Sequence, residues 1–248
     1  MSSELMILGL TAGFVAFVHT VLGPDHYLPF IVMSKARGWS LRRTMGITVG
    51  CGIGHVLGSV LLGGLGIALG WTVGGLERFE GSRGELAGWL LIAFGIVYLT
   101  WGIRFAVRRR PHAHWHAHAD GTTHRHEHMH RGEHAHVHDG AESVGARRSA
   151  KGARSFSLTP WALFLIFVLG PCEPLIPVLM YPAARHSLTG VVVATVVFGI
   201  TTITTMMLTT ALGYRSLTEF RLARLEPYVH AIAGLAVVAC GLAVHLGL

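Results

Sequence analysis

Six stretches of the chain are apolar enough and long enough to cross a lipid bilayer, once runs interrupted by glycine are included. They cover residues 5–33, 44–71, 86–107, 158–181, 188–212 and 226–247. A hydrocarbon core of about 30 Å needs about 20 apolar residues in a helix, and every backbone polar group within lipid must be paired inside the protein. These stretches therefore predict an all-α membrane protein with six transmembrane helices.

The composition excludes an ordinary soluble domain. Of the 248 residues, 51% are hydrophobic and 13% are charged, whereas soluble domains have about 25% charged residues. The net charge is +7, but no basic stripe interleaved with aromatic residues lies outside residues 108–157. We therefore expect membrane lipid, and no nucleic acid, as a partner.

One phrase occurs twice, and this repeat predicts an internal duplication. Residues 22–33 read Leu-Gly-Pro-Asp-His-Tyr-Leu-Pro-Phe-Ile-Val-Met, and residues 169–180 read Leu-Gly-Pro-Cys-Glu-Pro-Leu-Ile-Pro-Val-Leu-Met. Each phrase contains helix-breaking prolines within a long apolar stretch, so we expect the first and fourth helices to be broken. Since each half has three spans, the halves enter the bilayer in opposite directions and form an inverted 3+3 repeat, with the site between them.

The distribution of Lys and Arg predicts the orientation. The first, third and fifth connections carry most of the basic residues, whereas Arg78 and Arg83 in the second are offset by Glu77, Glu80 and Glu85. By the positive-inside rule, the odd connections are cytoplasmic and both termini lie outside an inner (plasma) membrane. The chain thus divides into a first repeat (1–107), a cytoplasmic loop (108–157) and a second repeat (158–248).

The loop is rich in histidine and poor in large apolar residues. Because it cannot bury a core, we expect it to be disordered. Neutral imidazole binds Ni, Co, Cu and Zn ions, so we also expect an auxiliary metal-binding segment. Its histidines are His112, His114, His116, His118, His124, His126, His128, His130, His134, His136 and His138.

The first phrase places ionisable side chains at membrane depth, where such residues usually have a function. Asp25 and His26 follow Pro24, and His19 precedes His26 by about two helical turns. His55 lies beside a run of glycines that favours the interior of a helix bundle. If the break at Pro24 lets these groups converge, they form a nitrogen and oxygen set suited to Ni, Co or Zn ions rather than Ca or Mg.

The second phrase adds candidate ligands. Glu173 offers a carboxylate and Cys172 a thiol, and the thiol would favour softer ions. Structural interpretations stay open for each of them, since Glu173 can cap the following half-helix and Cys172 can be an inert small residue. In the fifth span, Thr201 and Thr202 are candidates for a polar path.

At His19, Asp25, His26 and the His-rich loop, the sequence resembles the nickel/cobalt transporter superfamily, particularly the six-span nickel/cobalt efflux proteins and the related urease-accessory membrane proteins. The nickel permease signature is His-x4-Asp-His, whereas five residues separate His19 from Asp25 here. The resemblance implies a transporter rather than an enzyme, with the metal as substrate and no permanent cofactor. The loop fits an exporter, which we favour slightly, and equally an importer that hands metal to a cytoplasmic chaperone.

Residues 170–177 of the second phrase instead resemble the Pro-Cys phrase of the cytochrome c biogenesis transmembrane proteins, which pass reducing equivalents through two membrane cysteines. In this chain Asp25 occupies the position that matches Cys172, and neither Cys51 nor Cys240 does. Because dithiol exchange needs a second thiol within reach, this resemblance argues for a shared scaffold. A thiol-disulfide electron conduit is the alternative function, and a metal sensor or store is a third.

Overall fold

The computed structural model describes residues 3–70, 72–108, 112–117, 123–128, 158–170, 172, 174–219 and 225–247. The first half contains α1 (Ser3–Leu22), a 3-10 turn (Pro24–His26), α2 (Leu28–Arg37), α3 (Leu41–Ala68) and α4 (Val73–Arg108). A hairpin of β1 (His112–Ala117) and β2 (Thr123–His128) follows. The second half contains α5 (Leu158–Leu169), α6 (Leu175–Ala184), α7 (Leu188–Glu219), a 3-10 turn (Glu226–Tyr228) and α8 (Val229–His245).

Within the described residues, five helices are long and apolar enough to cross a membrane, namely α1, α3, α4, α7 and α8. The predicted class, a helical protein with transmembrane character, is confirmed at this level. The fourth predicted span, 158–181, corresponds to two helices of 12 and 10 residues, α5 and α6. Each is about half the length that a bilayer requires, which is why five spanning helices are found instead of six.

The third predicted span, 86–107, begins too late. Helix α4 starts at Val73 and includes the charged stretch that the sequence analysis assigned to a connection. Glu80 and Arg83 lie inside this helix and are only 1% and 8% exposed. Their charges pair with each other, and a hydropathy pattern alone does not reveal this compensation.

Close helix contacts depend on small residues, as is usual in membrane proteins. Helix α4 packs along α8, where a Cβ at Gly95 would lie only 2.7 Å from the backbone nitrogen of Val238. Helix α1 packs on α7, and α3 packs on both α5 and α7. The short helix α2 packs on α7 and α8, and the short helix α6 packs on α7 and α3, so both broken helices lie within the bundle.

Three apolar clusters lie in the interior among the described residues, and the third is a small one formed by Leu91, Ile166 and Val237. The first, around Phe30, Met33 and Phe167, joins α2 and α5 to the neighbouring helices; the second, around Cys172, Leu175 and Phe198, joins α6 to α1 and α7. The outward faces are also apolar, with side chains such as Leu10, Phe14, Leu61 and Val97 at least 68% exposed. An apolar core enclosed by an apolar exterior is the arrangement expected where lipid rather than water surrounds the protein.

The described part of the His-rich loop has extended backbone. Strands β1 and β2 pair antiparallel, with His112 opposite His128, His114 opposite His126 and His116 opposite His124. In these two segments the chain is paired rather than disordered, and the His-x-His alternation matches the two-residue period of a strand. The remaining loop histidines, His118, His130, His134, His136 and His138, lie outside the described residues, so the prediction of disorder stays a prediction there.

Candidate metal site at the break of the first helix

The break between α1 and α2 places Asp25 and His26 in the bundle interior. Helix α1 ends at Leu22, and the backbone amide of Gly23 still donates to the carbonyl of His19 at 3.0 Å. Pro24 then opens a single 3-10 turn, because proline lacks the amide that would continue the helical ladder. A Cβ at Gly23 would lie 2.6 Å from Nδ1 of His26, so only glycine leaves room for the imidazole.

Three histidines from three elements converge at this break. His19 comes from the last turn of α1, His26 from the 3-10 turn and His55 from the middle of α3. Their ring centroids are 4.7 Å apart for His19 and His26 and 5.3 Å apart for His26 and His55. One ring nitrogen from each lies within 4.8 Å of the other two. Imidazole nitrogens bind Zn²⁺ at about 2.0–2.1 Å. Inward movements of the three rings by less than about 1 Å would therefore bring all three nitrogens within ligand distance of one ion.

Hydrogen bonds indicate which nitrogen of two rings carries the proton. Nδ1 of His26 lies 3.1 Å from Oδ1 of Asp25 and 3.2 Å from the carbonyl oxygen of Gly23. Nδ1 of His55 lies 3.3 Å from the carbonyl oxygen of Phe167. Carbonyl and carboxylate oxygens can only accept, so we assign the proton to Nδ1 in both rings. In the neutral form of each ring, this assignment leaves the Nε2 lone pair available.

The Nε2 atoms of the three rings have no hydrogen-bond partner in the part of the chain that the structure describes. Nε2 of His19, Nε2 of His26 and Nε2 of His55 are buried, and none finds a hydrogen-bond partner among the described residues. Buried polar atoms are nearly always paired, so three unpaired ring nitrogens in one cluster, two of them assigned as acceptors, call for a ligand. The arrangement also matches metal-binding histidines generally, whose second nitrogen donates to a carboxylate or a backbone carbonyl.

Asp25 lies beside His26 but does not belong to the three-nitrogen cluster. Its Oδ1 contacts Nδ1 of His26, the nitrogen that points away from the available lone pair. Its side chain is 22% exposed, whereas that of His26 is 3% exposed. The geometry therefore gives Asp25 an orienting contact, and its predicted role as a direct ligand stays a prediction.

Cavities adjoin the histidines on one side. A space of about 780 Å³ is lined by His19, Asp25 and His26 and extends to Glu85 and His245. A second, much smaller space of about 20 Å³ lies against Asp25, His26 and His55. This smaller volume is enough for one water molecule, which needs about 10–15 Å³. The smaller space is therefore large enough for a single ion, and it shares Asp25, His26 and Val244 with the larger one.

The opposite side of the histidines is packed with apolar side chains. Phe30, one turn beyond His26, is fully buried, and its ring lies 4.7 Å from the ring of Phe167. Beyond this pair, Arg37 donates to Thr159 at 2.6 Å, near the start of α5. We call this side the loop end of the bundle, because α4 ends and α5 begins there. The histidines are thus accessible from the side opposite the loop end, and apolar side chains separate them from the loop end.

Of the candidate ligands predicted from the second half, Cys172 is described and is not part of the cluster. Cys172 is fully buried among Ala12, Ala16 and Leu175, and its thiol, like those of Cys51 and Cys240, is free. Glu173 lies outside the described residues, so its predicted role stays a prediction. Thr202 is fully buried with an unpaired hydroxyl among the described residues, and Thr201 is half-buried.

Sequence reasoning missed the pair formed by Glu80 and Arg83. An Nη1 group of Arg83 donates to Oε1 of Glu80 in the bundle interior. Nη2 donates to the carbonyl oxygen of Val168 at 2.9 Å, and Oε2 of Glu80 accepts the backbone amide of Cys172 at 3.4 Å. The spacing of three residues between these opposite charges could have predicted the pair, because it places the two side chains on one face of a helix.

Comparison of the chain with models of protein families, with curated proteins and with solved structures finds no match.

Proposed function

We propose that the protein is a membrane transporter of divalent transition-metal ions, with nickel or cobalt as its main substrate. The observation that carries this proposal is the buried cluster of His19, His26 and His55, whose Nε2 atoms lack partners within the described residues. Ionisable and imidazole groups are costly at membrane depth and are typical of ion pathways.

The donor set favours borderline divalent ions. Three neutral imidazoles suit nickel, cobalt and zinc, whereas calcium and magnesium prefer oxygen ligands. The carboxylate of Asp25 holds the Nδ1 proton of His26 and offsets part of the charge of the ion. Three protein ligands leave coordination positions for water, so the ion can be exchanged rather than kept as a structural metal.

The cavities support transport rather than storage. An ion can reach His19 and His26 through the space of about 780 Å³, while Phe30 and Phe167 separate the histidines from the loop end. A transporter needs such one-sided access, together with a second state in which the closed side opens. In the proposed cycle, movement of the packed elements around Phe30 and Phe167 exposes the histidines to the loop end.

The pairing of helices supports an inverted 3+3 repeat of six spans in two halves, with the breaks near residues 24 and 171. If α5 to α8 correspond to α1 to α4, the contact of α1 with α7 has its counterpart in the contact of α5 with α3. The contact of α2 with α8 likewise has its counterpart in that of α6 with α4. Helix contacts that occur in such matched pairs are expected where two related halves pack around a pseudo-two-fold axis.

The His-rich loop, proposed to be cytoplasmic, would act as an auxiliary collector. Its alternating histidines are brought side by side by the pairing of β1 with β2 at the backbone level. Weak ligands at the mouth of a transporter raise the local concentration of the ion, which serves an exporter directly. An importer would use the same segment to pass metal to a cytoplasmic chaperone, and we favour export slightly.

Transport by purified protein in sealed liposomes tests this function. We expect saturable flux of Co²⁺ and Ni²⁺ that is not inhibited by Mg²⁺ or Ca²⁺, and we expect His26→Ala and His55→Ala each to abolish it. Ser34→Ala is the matched control, because Ser34 is equally buried and its hydroxyl only bonds the carbonyl oxygen of Ile31. Unchanged flux in both histidine variants, or no flux in the wild-type protein, would contradict the proposal.

A further inference from the structure

The end of α5 has carbonyl groups that a helix cannot pair by itself. The last four carbonyls of any helix lack amide partners, and inside a membrane protein they must be satisfied by other groups. Here α5 ends at Leu169, and the chain passes Gly170 before α6 begins at Leu175. Some of the donors that satisfy this end must therefore come from outside the helical ladder of α5.

Two side chains from two other helices bind this end. Nδ1 of His55, on α3, donates at 3.3 Å to the carbonyl oxygen of Phe167, which also accepts the backbone amide of Gly170 at 3.1 Å. Nη2 of Arg83, on α4, donates to the carbonyl oxygens of Val168 at 2.9 Å and Gly170 at 3.4 Å. A cation at the carbonyl end of a helix is also favoured by the helix dipole. The imidazole and the guanidinium thus bind neighbouring carbonyls of the same turn.

Glu80 binds the guanidinium of Arg83 and also the backbone on the α6 side of the break. Its Oε1 accepts from Nη1 of Arg83, and its Oε2 accepts the backbone amide of Cys172. The pair therefore spans the break, from the last turn of α5 to the residues before α6. Both side chains are buried, so water does not compete for these bonds.

The turn is packed tightly enough to transmit a displacement to His55. A Cβ at Gly58, one turn from His55 on α3, would lie 2.9 Å from the carbonyl oxygen of Val168 and 3.3 Å from Nη2 of Arg83. A Cβ at Gly170 would lie 3.3 Å from Nδ1 of His55. With so little free space, a shift of the carbonyl of Val168 also shifts the carbonyl of Phe167, which holds the proton of His55.

We propose that Glu80 and Arg83 are positioning residues of the metal site. They hold the end of α5 so that the carbonyl oxygen of Phe167 keeps His55 in the Nδ1–H form, with its Nε2 lone pair directed at His19 and His26. Neither Glu80 nor Arg83 touches the ion. This inference rests on the proposed function for its role in metal binding, but the effect on the proton of His55 exists without metal.

The test uses full-length protein labelled with ¹⁵N-histidine and studied by NMR without metal. The signals of His55 are identified by their absence from His55→Ala, and their chemical shifts report which ring nitrogen carries the proton. We expect Nδ1–H in the wild type and a mixture of both forms in Arg83→Gln and in Glu80→Gln/Arg83→Gln. The double variant is included because it leaves no buried unpaired charge, and Arg83→Lys should largely restore the wild-type form.

The matched control is Arg78→Gln, which removes an exposed arginine of the same helix that bonds only the carbonyl oxygen of Gly74. It should leave the signals of His55 unchanged. A well-folded double variant whose His55 signals equal those of the wild type would overturn the positioning role. So would a signal change of the same size in Arg78→Gln.

Co²⁺ titration of the same samples separates this inference from the proposed function. We expect the double variant to bind Co²⁺ about 10–100-fold more weakly, with altered visible absorption, as for other groups that orient a ligand. If the wild type binds no Co²⁺, the proposed function fails, while the NMR result still decides the positioning of His55. If the double variant binds Co²⁺ as the wild type does, the link from α5 to the metal site is wrong.

Discussion

The position of one proton on each ring decides what the clustered histidines can bind. His26 donates from Nδ1 to the carboxylate of Asp25 and the carbonyl of Gly23, and His55 donates from Nδ1 to the carbonyl of Phe167. Both Nε2 atoms are then acceptors with no donor among the described residues. A bound cation would interact with both lone pairs. If the same residues only packed against apolar side chains, the lone pairs would stay unpaired.

Substitution of Asp25 distinguishes an orienting role from direct binding. In Asp25→Asn the side chain still accepts from His26 but has lost its charge, so we expect Co²⁺ affinity to fall about tenfold, as measured by isothermal titration calorimetry. His26→Ala should abolish binding in the same assay. Equal loss in both variants would mean that Asp25 binds the ion directly.

Cys172 separates the metal transporter from the thiol-disulfide conduit. Its thiol is buried among alanines and leucine, so Cys172→Ala preserves the polarity and much of the volume of the site. We expect Co²⁺ flux in liposomes to stay within about twofold of wild type, with a stability loss of about 1 kcal/mol from the smaller side chain. Abolished function in Cys172→Ala, together with normal function in His26→Ala, would favour the conduit.

At the scale of elements, the two broken helices supply the polar backbone on which the site depends. At the break before α2, the carbonyl of Gly23 accepts both the backbone amide and Nδ1 of His26; at the end of α5, the carbonyl of Phe167 accepts both the backbone amide of Gly170 and Nδ1 of His55. Both turns use a three-residue spacing in place of the four-residue ladder of a straight α-helix. The prolines of the two phrases therefore make possible the hydrogen bonds that orient His26 and His55.

Gly23 tests the contribution of the first break. A Cβ at this position would lie 2.6 Å from Nδ1 of His26 and 2.9 Å from Oδ1 of Asp25, so Gly23→Ala must displace the imidazole. We expect Co²⁺ binding to fall by more than about tenfold, in line with loss of an orienting contact, while the protein remains folded by circular dichroism.

Gly46→Ala on α3 is the matched control, because nothing lies within 4 Å of the added Cβ. It should bind Co²⁺ as the wild type does and be slightly more stable, since alanine favours helix over glycine by about 1 kcal/mol. Normal Co²⁺ binding by Gly23→Ala would show that the packing of His26 is not needed for the site.

At the scale of the whole molecule, access to the histidines is asymmetric. The space lined by His19 and His26 reaches Glu85 in α4 and His245 at the end of α8, whereas Phe30 and Phe167 close the loop end. Along α4, Glu85 lies at the open side and Trp101 lies toward the loop end. The two residues are about 24 Å apart along the helix axis, from the rise of 1.5 Å per residue. In the proposed transport cycle, this arrangement would be one of the two alternating states.

Chemical labelling tests this asymmetry. Val18 lines the open space and Met33 is fully buried in the apolar cluster, so Val18→Cys should react with a membrane-impermeant thiol reagent, and Met33→Cys should not. We expect reaction from the side opposite the loop only, measured by mass spectrometry on oriented vesicles. Co²⁺ should slow the reaction of Val18→Cys. Equal labelling of both variants, or labelling of Val18→Cys from the loop side, would contradict the assignment.

Much of the architecture was open to prediction from the order of residues. The hydropathy pattern indicates a helical membrane protein because lipid permits few other backbone structures. The prolines of the repeated phrase indicate the break at Pro24, and ionisable residues at membrane depth point to His19, Asp25, His26 and His55. The start of α4 was missed, because Glu80 and Arg83 suggest a water-exposed connection until their pairing is known.

The remaining features depend on contacts between distant parts of the chain. His55 and Phe167 are 112 residues apart, and Arg83 and Val168 are 85 residues apart. The sequence by itself determined which segments avoid water and where their helices break, since both follow from the chemistry of neighbouring residues. The contacts of His26 with Gly23 and Asp25 are local, but only the tertiary structure decided that the carbonyl of Phe167 holds the imidazole of His55 and that His19, His26 and His55 meet, because those contacts are made by packing between helices.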